Sequence, residues 1–275
     1  MIHVVTAVHN RLRITEKFVE SLKRQTYGNI HLLLIDDGSD DGTDEMIRTQ
    51  LPGSTILYGD GSLWWAGALH KAWQWICLNA EDIDAVLITN DDTEYPEDYI
   101  AAGIAQVKEN PNTLIAGCGY GKQSGILLDG AFEHSFIDGT GKLLEPDSTG
   151  NCASTRSLFL TAGMWKRIGG MHPRLLPHYF SDFEFTIRAH RLGMEIKNPG
   201  VLKFCFDEGA TGDNRYENLT VTKMFGKRSG CNPIYRISFI LLSTPLPYIP
   251  VHLYHQLVRY LKKAGYFIHI VKRRK

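Results

Sequence analysis

Four short apolar runs occupy the first third of the chain, and three of them stop abruptly at polar residues. Ile2–Val8 halts at His9-Asn10, His31–Ile35 at Asp36-Asp37-Gly38, and Ala85–Thr89 at Asn90-Asp91-Asp92; Thr55–Tyr58 lies between the last two. Their length and unbroken apolar character predict buried strands. Between them, Ile14, Phe18, Val19 and Leu22 recur at helical spacing up to Gln25, and further helices are predicted across Ala66–Leu78 and after Pro96. Strand–helix alternation of this kind predicts a mainly parallel sheet with helices on both faces. Residues 118–151 are Gly-rich and polar, with runs such as Gly125–Leu128, and predict small strands and loops. Asp182–Leu192 returns to helical spacing through Phe183, Ile187 and Leu192, and closes at Gly193, a suitable C′ residue.

In open α/β sheets, ligands bind beyond the carboxyl ends of the strands. Two acidic clusters fall at such ends. The first, Asp36-Asp37-Gly38-Ser39-Asp40-Asp41-Gly42-Thr43, has some spacing of a calcium loop counted from Asp37. Its twelfth position is Arg48 where a bidentate glutamate is required, and a strand rather than a helix precedes it. A polar turn leading into a helix near Asp44 is the plainer reading. The second cluster, Asn90-Asp91-Asp92, sets two carboxylates side by side, which repel unless a cation or donors compensate. Hard oxygens suit Mg²⁺ or Mn²⁺, which bind substrate phosphates as well; a solvated turn before Pro96 is the alternative. No G-x-G-x-x-G follows the first strand, where Ala7-Val8-His9-Asn10-Arg11 stands instead, and there is no P-loop. With no glycine loop for phosphates, a divalent metal held by acids is a natural alternative way to manage a diphosphate.

Taken together, these motifs resemble family 2 glycosyltransferases of the GT-A fold. The likeness is carried by Ala7-Val8-His9-Asn10, the Asp36–Thr43 cluster, Asn90-Asp91-Asp92 as a DxD-type element, Ile168-Gly169-Gly170, and Asp182-Phe183-Glu184 after Tyr179-Phe180-Ser181. It covers residues 1–215. It implies a Rossmann-like, mainly parallel mixed sheet flanked by helices, with a catalytic domain over 1–217: a nucleotide half (1–118) and an acceptor half (119–217). It further implies that Ala7 and His9 line a base pocket, that Asp37 accepts from the base, that Asp91 holds the ribose, and that Asp92 binds the metal, Mn²⁺ or Mg²⁺. Asp182 matches the catalytic base, with Glu184 toward the acceptor. Ser181 stands where a second carboxylate is common, and Asp207 in Phe206-Asp207-Glu208-Gly209 stands where a histidine ligand is common; Asp207 is either a substitute ligand or a loop acid. Trp64-Trp65-Ala66-Gly67 resembles bacterial deoxysugar transferases, rhamnosyl transferases among them, and would place Trp64, Trp65 and Gly67 against sugar; packing at a helix start is the alternative.

The implied activity is inverting transfer from a nucleoside diphosphate sugar, UDP or dTDP, to a glycan or lipid-linked glycan acceptor in bacterial surface polysaccharide synthesis. A sugar-phosphate nucleotidyltransferase shares this layout but wants a glycine-rich basic loop in place of Ala7–Arg11. A non-catalytic nucleotide-sugar or calcium-binding protein is the rival from another class.

Charge changes the picture at the C-terminus. Lys and Arg number 30, as do Asp and Glu, so nothing favours nucleic acid as a partner, yet no acid follows Glu217 and eleven Lys and Arg do. Residues 1–217 are formally −11 and residues 218–275 are +11. Within that basic tail, residues 237–258 lack any Lys, Arg, Asp or Glu but contain Pro245, Pro247 and Pro250. The prolines and polar second half argue against a span and for a helical element on an anionic membrane surface; a hairpin on the catalytic domain or a dimer contact are the alternatives. Five scattered cysteines without a C-x-x-C pair, and an N-terminus without a signal-peptide pattern, predict a cytoplasmic protein, peripheral on the inner face of the membrane.

Overall fold

Runs that are apolar at nearly every position call for burial on both faces, and the computed structural model, which describes residues 1–209, 224–226 and 229–273 (side chains to 262), buries Ile2–Val8 and Ala85–Thr89 almost throughout, while Thr55–Tyr58, at the sheet edge, is only half-buried. In chain order the elements are β1 (Ile2–Val8), α1 (Leu12–Lys23), β2 (Ile30–Asp36), α2 (Thr43–Gln50), β3 (Thr55–Tyr58), α3 (Trp64–Asn79), β4 (Ala85–Thr89), β5 (Thr93–Glu94), α4 (Tyr99–Glu109) and β6 (Thr113–Ala116). There follow β7 (Cys118–Gly121), β8 (Leu127–Asp129), β9 (Ala131–His134), β10 (Gly141–Leu143), β11 (Ser148–Gly150), β12 (Cys152–Ala153) and β13 (Ser157–Thr161). The rest are α5 (Ala162–Ile168), α6 (Ser181–Arg191), β14 (Glu195–Asn198), β15 (Lys203–Phe206), α7 (Pro233–Ser243), a 3₁₀ turn (Leu246–Tyr248) and α8 (Ile249–Arg273). The expected boundary at residue 217 and the terminal Arg274-Lys275 lie outside the described residues.

The main sheet has eight strands in the order β11-β14-β6-β13-β4-β1-β2-β3. β4, β1, β2 and β3 are parallel. Val5, Leu33, Ile35, Val86 and Ile88 point to one side, onto α3 and α5. Val4, Leu32, Leu34 and Leu87 point to the other, onto α1 and α4. Small residues on α3 (Ala66, Gly67, Ala68, Ala72) let that helix lie close on the sheet.

The sheet is mixed because β13 inserts antiparallel between β4 and β6, with Ser157 opposite Thr89. This reversal carries Ser154, Thr155 and Arg156, just before β13, to the carboxyl edge of β4. Two small sheets, β10-β9-β12 and β5-β15-β7-β8, close over that edge.

α7 begins at Asn232, whose side chain accepts from the Ile234 amide, with Pro233 in the first turn. It packs on α6 through Phe239, beside Tyr235 and Leu242. α8 returns over β9, where His252 meets His134 with ring centroids 6.0 Å apart. Burial pushes both imidazoles down to about 4, opposed in each by Asp138; the charges of His252 and Arg259 add to the effect at His134, and those of Arg259 and His255 at His252. Their unfolded value is near 6.5, so between about 4 and 6.5 the unfolded chain binds more protons. Stability is therefore fully present above about pH 6.5 and falls as pH drops toward 4. Thermal unfolding across that window should show a falling Tm, with a shallower slope in His252→Gln; an unchanged slope would place the titration elsewhere.

Candidate active site

The carboxyl ends of β1, β2 and β4 meet at one edge because Val8 pairs with Asp36 and Val5 with Ile88. Above it lies a cavity of about 860 Å³, the size of a small-molecule site. Ala7, His9, Arg11, Asp37, Trp64, Trp65, Asp91, Asp92 and Asp182 all line it.

Asp37 organises one wall. Its Oδ1 accepts from the amides of Gly61 (2.9 Å) and Leu63 (3.2 Å), and its Oδ2 from that of Trp64 (3.1 Å). These bonds satisfy open donors at the start of α3 and explain why that helix begins at Trp64 rather than Ala66. Gly59 is required here, since a Cβ would come within 2.3 Å of Asp37 Oδ1. His9 donates through Nδ1 to the Asp37 carbonyl at 2.7 Å, fixing its ring. Asp36 and Asp41 serve the backbone: Asp36 accepts from the Ser39 amide, and Asp41 from those of Leu12 and Thr43. That is the polar turn, tying the start of α1 to the end of β2.

Asp91 is 2% exposed. Thr15 donates its hydroxyl to Asp91 at 2.9 Å, and Arg11 lies 3.3 Å away. Burial nevertheless pushes this carboxyl up to about 6. Asp92 lies 2.6 Å from Arg156 Nη1 and 3.6 Å from Arg11 Nη2. Arg156 is held on its other side by Asp129 at 3.1 Å and covers the Phe206 ring at 4.2 Å. Burial would lower this guanidinium, yet Asp92 and Asp129 hold it above its ordinary value.

Asp182 stands in the first turn of α6, where open amides favour negative charge, and its Oδ1 accepts from the Phe183 amide at 2.9 Å. Phe180, just before it, has φ of 70°, and Trp64 has 57°. Left-handed backbone at bulky residues is uncommon and concentrates at functional sites. Both side chains line the cavity.

Three expected residues are not brought to the cavity. Glu184 is 1% exposed and paired with Arg188 at 2.9 and 3.0 Å, and Arg188 donates onward to the Ile168 and Gly170 carbonyls. Two positions from Asp182 on a helix, Glu184 faces inward and anchors the Ile168–Gly170 turn rather than an acceptor. Gly67 packs within α3, where a Cβ would meet Leu63 at 3.2 Å. Asp207 accepts from Gln123 and Gly209 and does not line the cavity. Among the described residues no group of three or more His, Cys, Asp or Glu is placed to hold a metal by itself.

Trp65 lines the wall with its indole N–H given to Thr155 at 3.1 Å. Arg11, Asp129 and Arg156 were not legible as site residues, for Arg156 is a single base before an apolar run and belongs to no motif. Arg236 of α7 also reaches the cavity and lies over Phe180 at 5.0 Å.

Residues 3–167, more than half the chain, match the model of glycosyl transferase family 2. The chain belongs to that family. It is a glycosyltransferase with a GT-A fold. Solved structures similar to it include the mannosyltransferase PcManGT from Pyrobaculum calidifontis in complex with GDP-Man and Mn²⁺ (14% identity, TM-score 0.59, covering 93% of this chain and 68% of that one). GalNAc-T7 with UDP, GalNAc and Mn²⁺ is 13% identical, with a TM-score of 0.61 over 75% of this chain and 43% of that one. TarS of S. aureus is 13% identical, with a TM-score of 0.61 over 93% and 52%. The chain thus spans from under half to about two thirds of the length of these proteins. No curated protein matches the sequence.

Proposed function

We propose that this glycosyltransferase moves a hexosyl or deoxyhexosyl group from UDP or dTDP to a hydroxyl of a glycan or lipid-linked glycan, with inversion and with a divalent metal, in bacterial surface polysaccharide synthesis. The observation that carries the reading is one cavity with Asp91-Asp92 on the nucleotide side and Asp182 at a helix N-terminus on another wall.

Asp37, His9 and Ala7 form the wall where the base and ribose would lie, with Asp91 beneath. The donor set fits Mn²⁺ or Mg²⁺: hard carboxylate oxygens with, among the described residues, no cluster of three acids to enclose the ion, so the diphosphate and water would complete the shell. Asp92 would hold the ion, which when bound supplies Lewis-acid stabilisation of the departing diphosphate. Arg11 and Arg156, fixed on these carboxylates, add positive charge beside the leaving group. Asp182 takes the proton of the acceptor hydroxyl as that oxygen attacks the anomeric carbon and the nucleoside diphosphate departs from the opposite face. Trp64 and Phe180 offer flat apolar surfaces for sugar rings.

A thermal-shift screen of UDP-, dTDP- and GDP-sugars with and without Mn²⁺ tests this reading, because binding to the native state raises Tm by mass action. A UDP- or dTDP-sugar is expected to give the largest rise, and a larger one with metal than without. No stabilisation by any of them would overturn the proposal.

A further inference from the structure

A helix on a water-soluble surface hides its apolar side and shows its polar one. α8 does the reverse. His252 and Gln256 face the domain, 2% and 6% exposed, and Tyr260 gives its hydroxyl to the Cys231 carbonyl. Tyr254, Leu257 and Leu261, at helical spacing on the outside, are exposed. α7 adds a second outer row in Ile234, Ile237 and Leu241, and Leu246 in the turn between the helices is 80% exposed. Both rows lie on the sides of their helices turned away from the domain. His134 of β9 touches Phe239 of α7 and His252 of α8, so both helices have their inner sides on one patch of the domain.

We infer that the outer sides of α7, the 3₁₀ turn and α8 form a single face that lies in the interface of an anionic lipid membrane. Apolar rows at this density mark an interaction surface. Charge selects the occupant. Residues 218–275 contain eleven Lys and Arg and no acid. A second copy of this chain would set two such tails together, and like charges at an interface cost several kcal/mol. Anionic lipid offers the opposite charge with an apolar layer beneath, where each base near the surface contributes about 1 kcal/mol. No described helix is long and apolar enough to cross a membrane, so the element lies on the surface.

The same helix that meets lipid also puts Arg236 into the cavity wall beside Phe180. The face would thus hold the Asp182 side of the cavity near the membrane, where the hydroxyl of a lipid-linked acceptor lies. That consequence rests on the transferase reading proposed above; lipid binding itself does not.

The test is co-sedimentation of the full chain with phosphatidylcholine vesicles, with and without phosphatidylglycerol, beside the variant L246S/L257Q/L261Q. These three side chains are exposed, so circular dichroism and Tm should be unchanged. Wild type is expected to pellet with the anionic vesicles, to be released by added salt, and to bind at least about tenfold more tightly than the variant. Equal pelleting of the two proteins, or no pelleting, overturns the inference; equal pelleting on phosphatidylcholine alone overturns the anionic assignment. A wild-type dimer by light scattering that the variant lacks, without vesicle binding, assigns the face to self-association instead. Because these readouts use no nucleotide sugar, a failed donor screen leaves them intact, and the reverse.

Discussion

Asp182→Asn is expected to abolish transfer while leaving the donor dissociation constant nearly unchanged. The amide keeps the size of the side chain, and its oxygen can still accept from the Phe183 amide as Asp182 Oδ1 does at 2.9 Å. It cannot take a proton. A placed general base contributes about 10²–10⁴-fold, so turnover at saturating acceptor should fall by roughly that factor. Glu184→Gln is the control on the same helix. That carboxylate pairs with Arg188 and lies outside the cavity, so its loss should lower thermal stability and spare the proton step. If Asp182→Asn kept more than about a tenth of wild-type turnover, short of this range, the base would be another residue.

Asp92→Ala should remove the Mn²⁺ dependence of donor binding. Altering only the partners that orient a metal ligand typically weakens metal affinity by about 10–100-fold, and loss of the ligand should exceed that. Asp37→Ala, by contrast, should weaken the nucleotide with Mn²⁺ or with chelator alike, because Asp37 holds the turn and helix start that shape the base wall. Asp92→Ala also takes one carboxylate from the partly buried Arg156, which keeps Asp129. Asp92→Asn therefore belongs beside it, since the amide retains an oxygen for the guanidinium while losing the charge. Nucleotide titration of each variant, with folding checked by thermal melts, separates the two effects. Full Mn²⁺ enhancement in both Asp92 variants would make the metal assignment wrong.

Asp37, Asp91 and Asp92 were legible because each follows an apolar run, and in a parallel sheet the ends of neighbouring strands meet at one edge. Arg156 was not, because its place depends on β13 running antiparallel to β4. Nothing within Ser157–Thr161 states which strand it will pair with or in which direction. Glu184 was misplaced for a related reason. Helical spacing separates its side chain from that of Asp182, but only the packing of α6 against the Ile168–Gly170 turn shows that it points at Arg188.

The strand–helix alternation, the acids at the strand ends, and the division into an acidic body and a basic tail can all be read along the chain. These are local patterns, written in period, composition and charge. Tertiary structure alone decided that Arg11 and Arg156 share Asp92, that Asp37 caps α3, and that Arg236 enters the cavity. It alone turned the polar side of α8 inward and left Leu257 and Leu261 outside. Each of these joins residues far apart along the chain, and such contacts follow from strand order and helix packing, which no local pattern encodes.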